Sequence, residues 1–294
     1  MTKLEYKINQ ELKEIKHFHK VDSPISVVSN KRDHDIRQDM QKIAADARGY
    51  GIGVTANRGG DVGKWSNADI VKMADYYKET GLGDGTIINM VSSLRSFLRE
   101  TGRTNITATN AELGLKRTIE YKDKSLEAKN IDINDKLNYF KEKDPNVYVQ
   151  LKLAVVAGLR REEAIHAGLA LYKRYSILKG NVLELKASWC KNNQSRNIEL
   201  SDEKVREIKE LQNYLRTVDY KNEADRGLKQ EKNHLSNAIR SQGFNIHAAR
   251  HSYAKSEFSV LIDSKKITEE AAKHDVTEKL GHHRPCVTKV YLAK

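Results

Sequence analysis

Residues 174–200, RYSILKGNVLELKASWCKNNQSRNIEL, decide the fold. RYSIL, VLELKASW and RNIEL are short runs of β-branched, aromatic and leucine residues, separated by KGN and CKNNQS. The pattern predicts strand, turn, strand, turn, strand, which makes one small antiparallel sheet. On either side the apolar period changes to that of a helix. Upstream, Asp144 and Pro145 form an N-cap and N1 pair ahead of NVYVQLKLAVVAGLRREEAI, with Gly158 as an interruption. Downstream, DEKVREIKELQNYLRT sets Val205, Ile208, Leu211 and Leu215 on one face, and everything after 230 reads as helix. Strands confined to one block between helices predict a mainly α protein with a small antiparallel sheet, an α+β arrangement and not a doubly wound sheet.

The front half reads as helix alone. Ile36, Met40, Ile43 and Ala47 repeat at helical spacing. After the glycine-rich GYGIGVTANRGGDVGKW (49–65), Ser66 is placed as the N-cap of a helix carrying Ile70, Met73, Ala74 and Tyr77. A third helix runs through Ile87, Met90, Val91, Leu94 and Leu98. The expected organisation is a charged arm over 1–33, a helical bundle over 34–125 and a second domain over 133–294, joined by a polar linker.

The chain of 294 residues carries 52 Lys+Arg against 40 Asp+Glu, a formal charge of +12. A basic excess of this size points to a polyanion, nucleic acid before an anionic membrane face. No apolar run approaches the roughly 20 residues of a membrane helix, and the first residues lack the apolar core of a secretory signal. Cys190 and Cys286 are the only cysteines. A disulfide framework is therefore excluded, and the expected setting is a reducing cytoplasm.

Several look-alike motifs fail on context. GYGIGV and GLGDG do not follow a predicted strand, as a dinucleotide fingerprint must. There is no GxxxxGK[ST]. His247 and His251 have the spacing of a zincin helix, but Ala248 stands where that chemistry needs glutamate. Asn105-Ile106-Thr107 is a glycosylation sequon without the secretory route it requires. No metal and no cofactor is expected.

What remains is an ordered series of basic boxes and one late tyrosine: GLRREEA, CKNNQSRNIEL, HAARHSYA and LGHHRPCVTKVYL. In this order they resemble the signature of the tyrosine recombinase (phage integrase) family. The resemblance covers roughly 35–294 and is strongest over 155–294. It places the first family arginine on Arg160 with Glu163 as companion acid, and the hairpin lysine on Lys191. The His-x-x-Arg pair falls on His247 and Arg250, with His251 in support, the next histidine on His282 and the nucleophile on Tyr291. TIINMVSSLRSFLRE resembles the helix that ends the family's DNA-binding front domain, which makes Thr86, Asn89 and Arg95 candidates for DNA contact. The implied partner is double-stranded DNA bearing specific recombination sites, bound as a homotetramer with DNA-bending accessory proteins, and no membrane. The implied activity integrates or excises a mobile element. A type IB topoisomerase and a non-cleaving accessory protein of the same fold are the alternatives. Three features depart from the family pattern: a long interval between His247 and His282 with DSKKITEEAAKHD inserted, Gln194 and Ser195 in the lysine box, and a sequence that ends soon after Tyr291.

The residue types suit the chemistry on their own. Attack on a phosphodiester builds negative charge on the non-bridging oxygens, which forked guanidinium donors such as Arg160 and Arg250 match better than lysine. His247 and Arg250, at i and i+3 on one helix, can reach one phosphate. A phenol, with a reference pKa of about 10, needs a proton acceptor, here His247, before it attacks. His282 is placed as a donor to phosphate oxygen, and Lys191 as the acid for the departing 5′ hydroxyl.

Overall fold

The computed structural model describes residues 3–20, 23–27, 29–49, 65–103, 105–220, 227–263, 266–282 and 285–293. The glycine-rich stretch 50–64 and Ser264 and Lys265 of the inserted segment lie outside them. The chain forms two compact units, 1–119 and 120–294.

The first unit contains α1 (Lys3–Glu14), a short hairpin of β1 (His19–Lys20) and β2 (Ser23–Val27), α2 (Asn30–Gly49), α3 (Asn67–Glu79) and α4 (Asp84–Glu100). Each apolar stripe read from the sequence is buried: Ile36, Met40 and Ala47 on α2, Ile70, Met73 and Ala74 on α3, Ile87, Leu94 and Leu98 on α4. Ser66 caps α3 as expected. Its N–H and hydroxyl both donate to Asp69, at 2.8 and 2.9 Å. The expected charged arm is different in kind. Leu4, Ile8 and Leu12 recur every fourth residue and bury α1 in the core of this unit. High charge on the outer face of α1 masks that stripe in the composition. Ala108, Leu113 and Leu115, towards the end of the expected bundle, also close this core.

The second unit starts earlier than the sequence boundary at 133. Leu126 is buried, its N–H donates to Ser252 Oγ at 2.9 Å, and Asp123 pairs with Lys255. Then come α5 (Ile133–Lys143), α6 (Pro145–Ala157), α7 (Arg161–Tyr172), β3 (Leu178–Lys179), β4 (Val182–Leu185), β5 (Arg196–Glu199) and α8 (Asp202–Tyr214). Helices α9 (Leu228–Ser241), α10 (Ile246–Asp263), α11 (Glu269–Lys279) and α12 (Pro285–Tyr291) complete the unit. The sheet is antiparallel in the order β3-β4-β5, with Leu183 opposite both Leu178 and Ile198. The strands are shorter than the sequence runs, because Ala187–Trp189 and Lys191–Asn193 form 3-10 turns. The alternation of β5 places Arg196 on the same buried side as Ile198.

Gly158 explains the break after α6. Its φ of +61° is a left-handed cap, and a Cβ there would lie 2.3 Å from the Tyr253 ring. The chain can therefore leave α6 and start α7 within three residues, which sets Arg160 beside the second unit's buried centre.

Candidate active site

The C-terminus of α11 is the organiser of the site. Leu280 ends the helix, Gly281 turns left-handed with φ +60°, and the N–H groups of Gly281 and His282 return to the carbonyls of Glu278 and Thr277 at 2.8 and 2.9 Å. This is a Schellman turn, so Leu-Gly-His is a structural instruction that fixes where His282 leaves the helix. A Cβ on Gly281 would also lie 2.7 Å from Arg196 Cδ. The turn leaves the last carbonyls of the helix without internal partners, at the negative end of its dipole. Three arginines take them. Arg196 Nη1 donates to Lys279, Arg250 Nη2 to Leu280, and Arg160 Nη2 to Gly281, the last at 3.0 Å.

Glu163 sits beneath two of these arginines. It is fully buried, accepting from the Arg160 N–H at 2.8 Å, Arg160 Nη1 at 2.7 Å and Arg196 Nη2 at 2.6 Å. Burial alone would raise its carboxyl, but Arg196, Arg160 and the Arg160 backbone bond outweigh that and hold it below the ordinary glutamate value. Three guanidinium groups against one carboxylate leave an excess of positive charge facing the site. Replacing Glu163 by Gln removes the counter-charge of a buried pair and is expected to cost about 3–5 kcal/mol in denaturant unfolding. A cost below about 1 kcal/mol, the worth of a surface pair, would contradict this placement.

Helix α10 supplies the third wall. Asn245 Oδ1 accepts from the Ala248 N–H at 3.1 Å and starts the helix. His247, Arg250 and His251 follow on one side. Arg250 is fully buried, with Nη1 donating to the Gly158 carbonyl and Nη2 lying 3.3 Å from His282 Nε2. Burial first, and then Arg196 and Arg160, lower its pKa to about 10, which leaves it charged at neutral pH.

Tyr291, at the end of α12, closes the site. Its hydroxyl lies 3.0 Å from His247 Nε2, and only 7% of the residue is exposed. Its ring stacks on His251 with centroids 4.3 Å apart, stands 4.9 Å from His282 and lies 5.6 Å from the Arg250 guanidinium carbon. Removal from water and then the Arg250 and Arg160 charges push His282 down to about 3. Burial and then His247 push His251 down to about 4. His247 is lowered in the same direction by desolvation of its inner edge, followed by Arg250 and Arg160, while its outer face is in solvent. All three rings are therefore neutral at pH 7, and in its Nδ1–H tautomer His247 accepts the Tyr291 proton at Nε2.

These depressed values carry a stability consequence. An unfolded histidine takes its proton near 6.5, the folded rings only near 3 to 4. The unfolded state binds more protons between those limits, so the stability of the second unit is expected to fall as pH drops from 6.5. Most of that window lies above the pKa of the lowered carboxylates. Denaturant midpoints at stepped pH check this, and a flat midpoint from pH 6.5 to about 5 would contradict neutral buried rings.

The structure thus brings Arg160, His247, Arg250, His282 and Tyr291 together. Lys191 is not in this group. It is exposed on the 3-10 turn between β4 and β5, and no hydrogen bond or ion pair among the described residues joins it to the cluster. In the first unit Thr86 and Asn89 are exposed on α4, with Asn89 Oδ1 accepting from Arg117 at 2.6 Å. Arg95 is half-buried, with Nη1 donating to Asn110 Oδ1 at 2.8 Å. Sequence reasoning left Arg196 and Thr288 out of the site. The strand alternation of RNIEL could have found Arg196 on its buried side. Nothing short of coordinates shows the fully buried Thr288 hydroxyl 3.1 Å from His282 Nδ1.

Neither a protein-family profile nor a curated protein sequence matches the chain. A solved structure does: the Tn1549 transposon integrase in complex with transposon right end DNA, with a TM-score of 0.53 at 13% identity, over 100% of this chain and 95% of that one. The fold is similar to that of a DNA integrase. The XerH site-specific recombinase bound to its difH substrate aligns over 98% of this chain and 91% of that one, at 13% identity and a TM-score of 0.36. The fold class read from the sequence, mainly helical with a small antiparallel sheet, agrees with the second unit's three-stranded sheet, while the two-stranded β1–β2 hairpin adds to a front half read as helix alone. Among the described residues no helix is long and apolar enough to cross a membrane, and no cluster of metal-ligating side chains occurs.

Proposed function

We propose that this protein is a site-specific DNA recombinase that breaks and rejoins strands through a 3′-phosphotyrosyl intermediate. The carrying observation is the Tyr291 hydroxyl 3.0 Å from the neutral His247 Nε2, with the Arg250 guanidinium behind the ring. Tyr291 Oη attacks the scissile phosphorus and its proton passes to His247. The P–O5′ bond breaks, and the 5′ oxygen takes a proton from Lys191 on its exposed turn. The phosphate oxygens gain charge as the five-coordinate state forms, and Arg160 and Arg250 hold it with forked donors. The bond energy is retained in the phosphotyrosyl ester, so attack by a second 5′ hydroxyl reverses the step and joins new strands.

Arg250 is fully buried under the Tyr291 ring in this state. DNA entry therefore requires Tyr291 to move off the place the phosphate takes, and the nucleophile and phosphate then share one cationic floor. The basic first unit, with Thr86 and Asn89 exposed on α4, supplies further DNA contact in this reading, most of it to phosphates and salt-dependent. Assembly as a homotetramer on paired sites, DNA-bending helpers, action on a mobile element and a cytoplasmic setting belong to the same proposal.

The test begins with duplexes of randomised centre, from which the bound sequences are selected. Those sequences are then placed in pairs on supercoiled plasmids. Detergent-resistant protein–DNA adducts and exchanged plasmid products are expected. Relaxation without exchange would favour a topoisomerase. Binding without any adduct would overturn the catalytic reading in favour of an accessory DNA binder.

A further inference from the structure

Thr288 has no place in the chemistry above, yet its environment is fully specified. It is buried on α12 one turn before Tyr291, with its hydroxyl 2.7 Å from Thr277 Oγ1 and 3.1 Å from His282 Nδ1. Thr277 Oγ1 in turn lies 2.6 Å from the Lys273 carbonyl, which can only accept. At the other end of the chain of contacts, Arg250 Nη2 lies 3.3 Å from His282 Nε2, and a guanidinium can only donate.

These two ends fix every proton between them. Nε2 faces the Arg250 donor across a long 3.3 Å and Nδ1 faces Thr288 Oγ1 at 3.1 Å, and the two contacts together put the single proton of the neutral His282 ring on Nδ1. Nδ1–H donates to Thr288 Oγ1. The Thr277 hydroxyl has one proton, which goes to the Lys273 carbonyl, so between the two hydroxyls it is Thr288 that donates to Thr277 Oγ1. Any other arrangement sets two donors or two acceptors face to face in a buried place, at a cost of about 1–3 kcal/mol.

We propose that Thr288 is a positioning residue that locks His282 in its Nδ1–H tautomer and couples that ring to the helix bearing Tyr291. The lone pair of Nε2 then points to the side where Arg250 and Tyr291 meet. On the recombinase reading, His282 reaches a phosphate oxygen as a donor only after a proton arrives at Nε2. Thr288 keeps accepting from Nδ1–H before and after that event, so the ring holds its orientation through the reaction.

The tautomer can be read without any activity. Long-range proton–nitrogen correlation on the full chain with nitrogen-15-labelled histidine, at neutral pH, separates the two tautomers, and the His282→Asn spectrum identifies the ring. The expected result is a single Nδ1–H signature for His282, lost in Thr288→Val and kept in Thr288→Ser. In parallel, the rate of adduct formation on selected DNA is expected to fall at least about tenfold in Thr288→Val, the usual scale for a lost outer hydrogen-bond partner. Thr288→Ser is expected to restore it. An Nε2–H signature in the wild type, or a Thr288→Val ring with unchanged signature, would overturn the lock. If the wild-type chain forms no adduct, the recombinase reading fails, and the tautomer spectrum still decides the role of Thr288.

Discussion

Tyr291→Phe is expected to bind DNA as the wild type does and to form no covalent adduct. The substitution removes one oxygen and leaves the ring that stacks on His251 and covers Arg250. Among the described residues the hydroxyl is hydrogen-bonded to His247 Nε2, whose ring has a solvent-facing side, so water can replace the partner and stability changes little. Loss of a nucleophile from an intact constellation costs on the order of 10⁶ in rate, which places adduct formation below detection. A gel-shift titration and a detergent-stable adduct assay on the same duplex separate the two properties. Adduct at a wild-type rate would place the nucleophile elsewhere and reduce Tyr291 to a packing residue.

Arg250→Lys is the second large effect. The native guanidinium reaches the Gly158 carbonyl at the end of α6 and, at the end of α11, the Leu280 carbonyl and the His282 ring, from one planar group. An ammonium is a point charge that cannot span that fork. With one carbonyl left dry in a buried place, the variant is expected to lose on the order of 1–3 kcal/mol of stability. Its larger effect falls on the transition state. Removing one preorganised donor from a developing oxyanion costs about 2.7–4 kcal/mol, or roughly 10²–10³ in rate. Single-turnover cleavage measured below the variant's own unfolding transition checks this. A rate within a few-fold of wild type would show that Arg250 only braces the α6 and α11 ends.

Much of this was legible in the sequence because local signals and tertiary needs agree. Asp144-Pro145, Ser66 and the Gly158 break are caps whose chemistry is written in adjacent residues, and each lies where it was expected. Leu280-Gly281-His282 was readable as a helix end, but its deeper role was not. Only in three dimensions do Lys279, Leu280 and Gly281 offer their carbonyls to arginines from three distant segments. Other signals ran against the eye. The α1 stripe is diluted by lysine and glutamate, so composition alone reads an arm. Arg196 lies within a polar run, so its burial shows only when β5 pairs with β4 and turns it toward Glu163. Lys191 illustrates the converse: its residue type and order fit the lysine box, while its exposed turn stands apart from the gathered groups.

In the proposed reaction the Tyr291 oxygen becomes bonded to DNA phosphorus. Mass spectrometry of the nuclease-trimmed, protease-digested adduct tests it most directly. One peptide containing Tyr291 is expected, carrying a nucleotide through its 3′ phosphate. A nucleotide on any other side chain, or cut DNA with no residue modified, would contradict it.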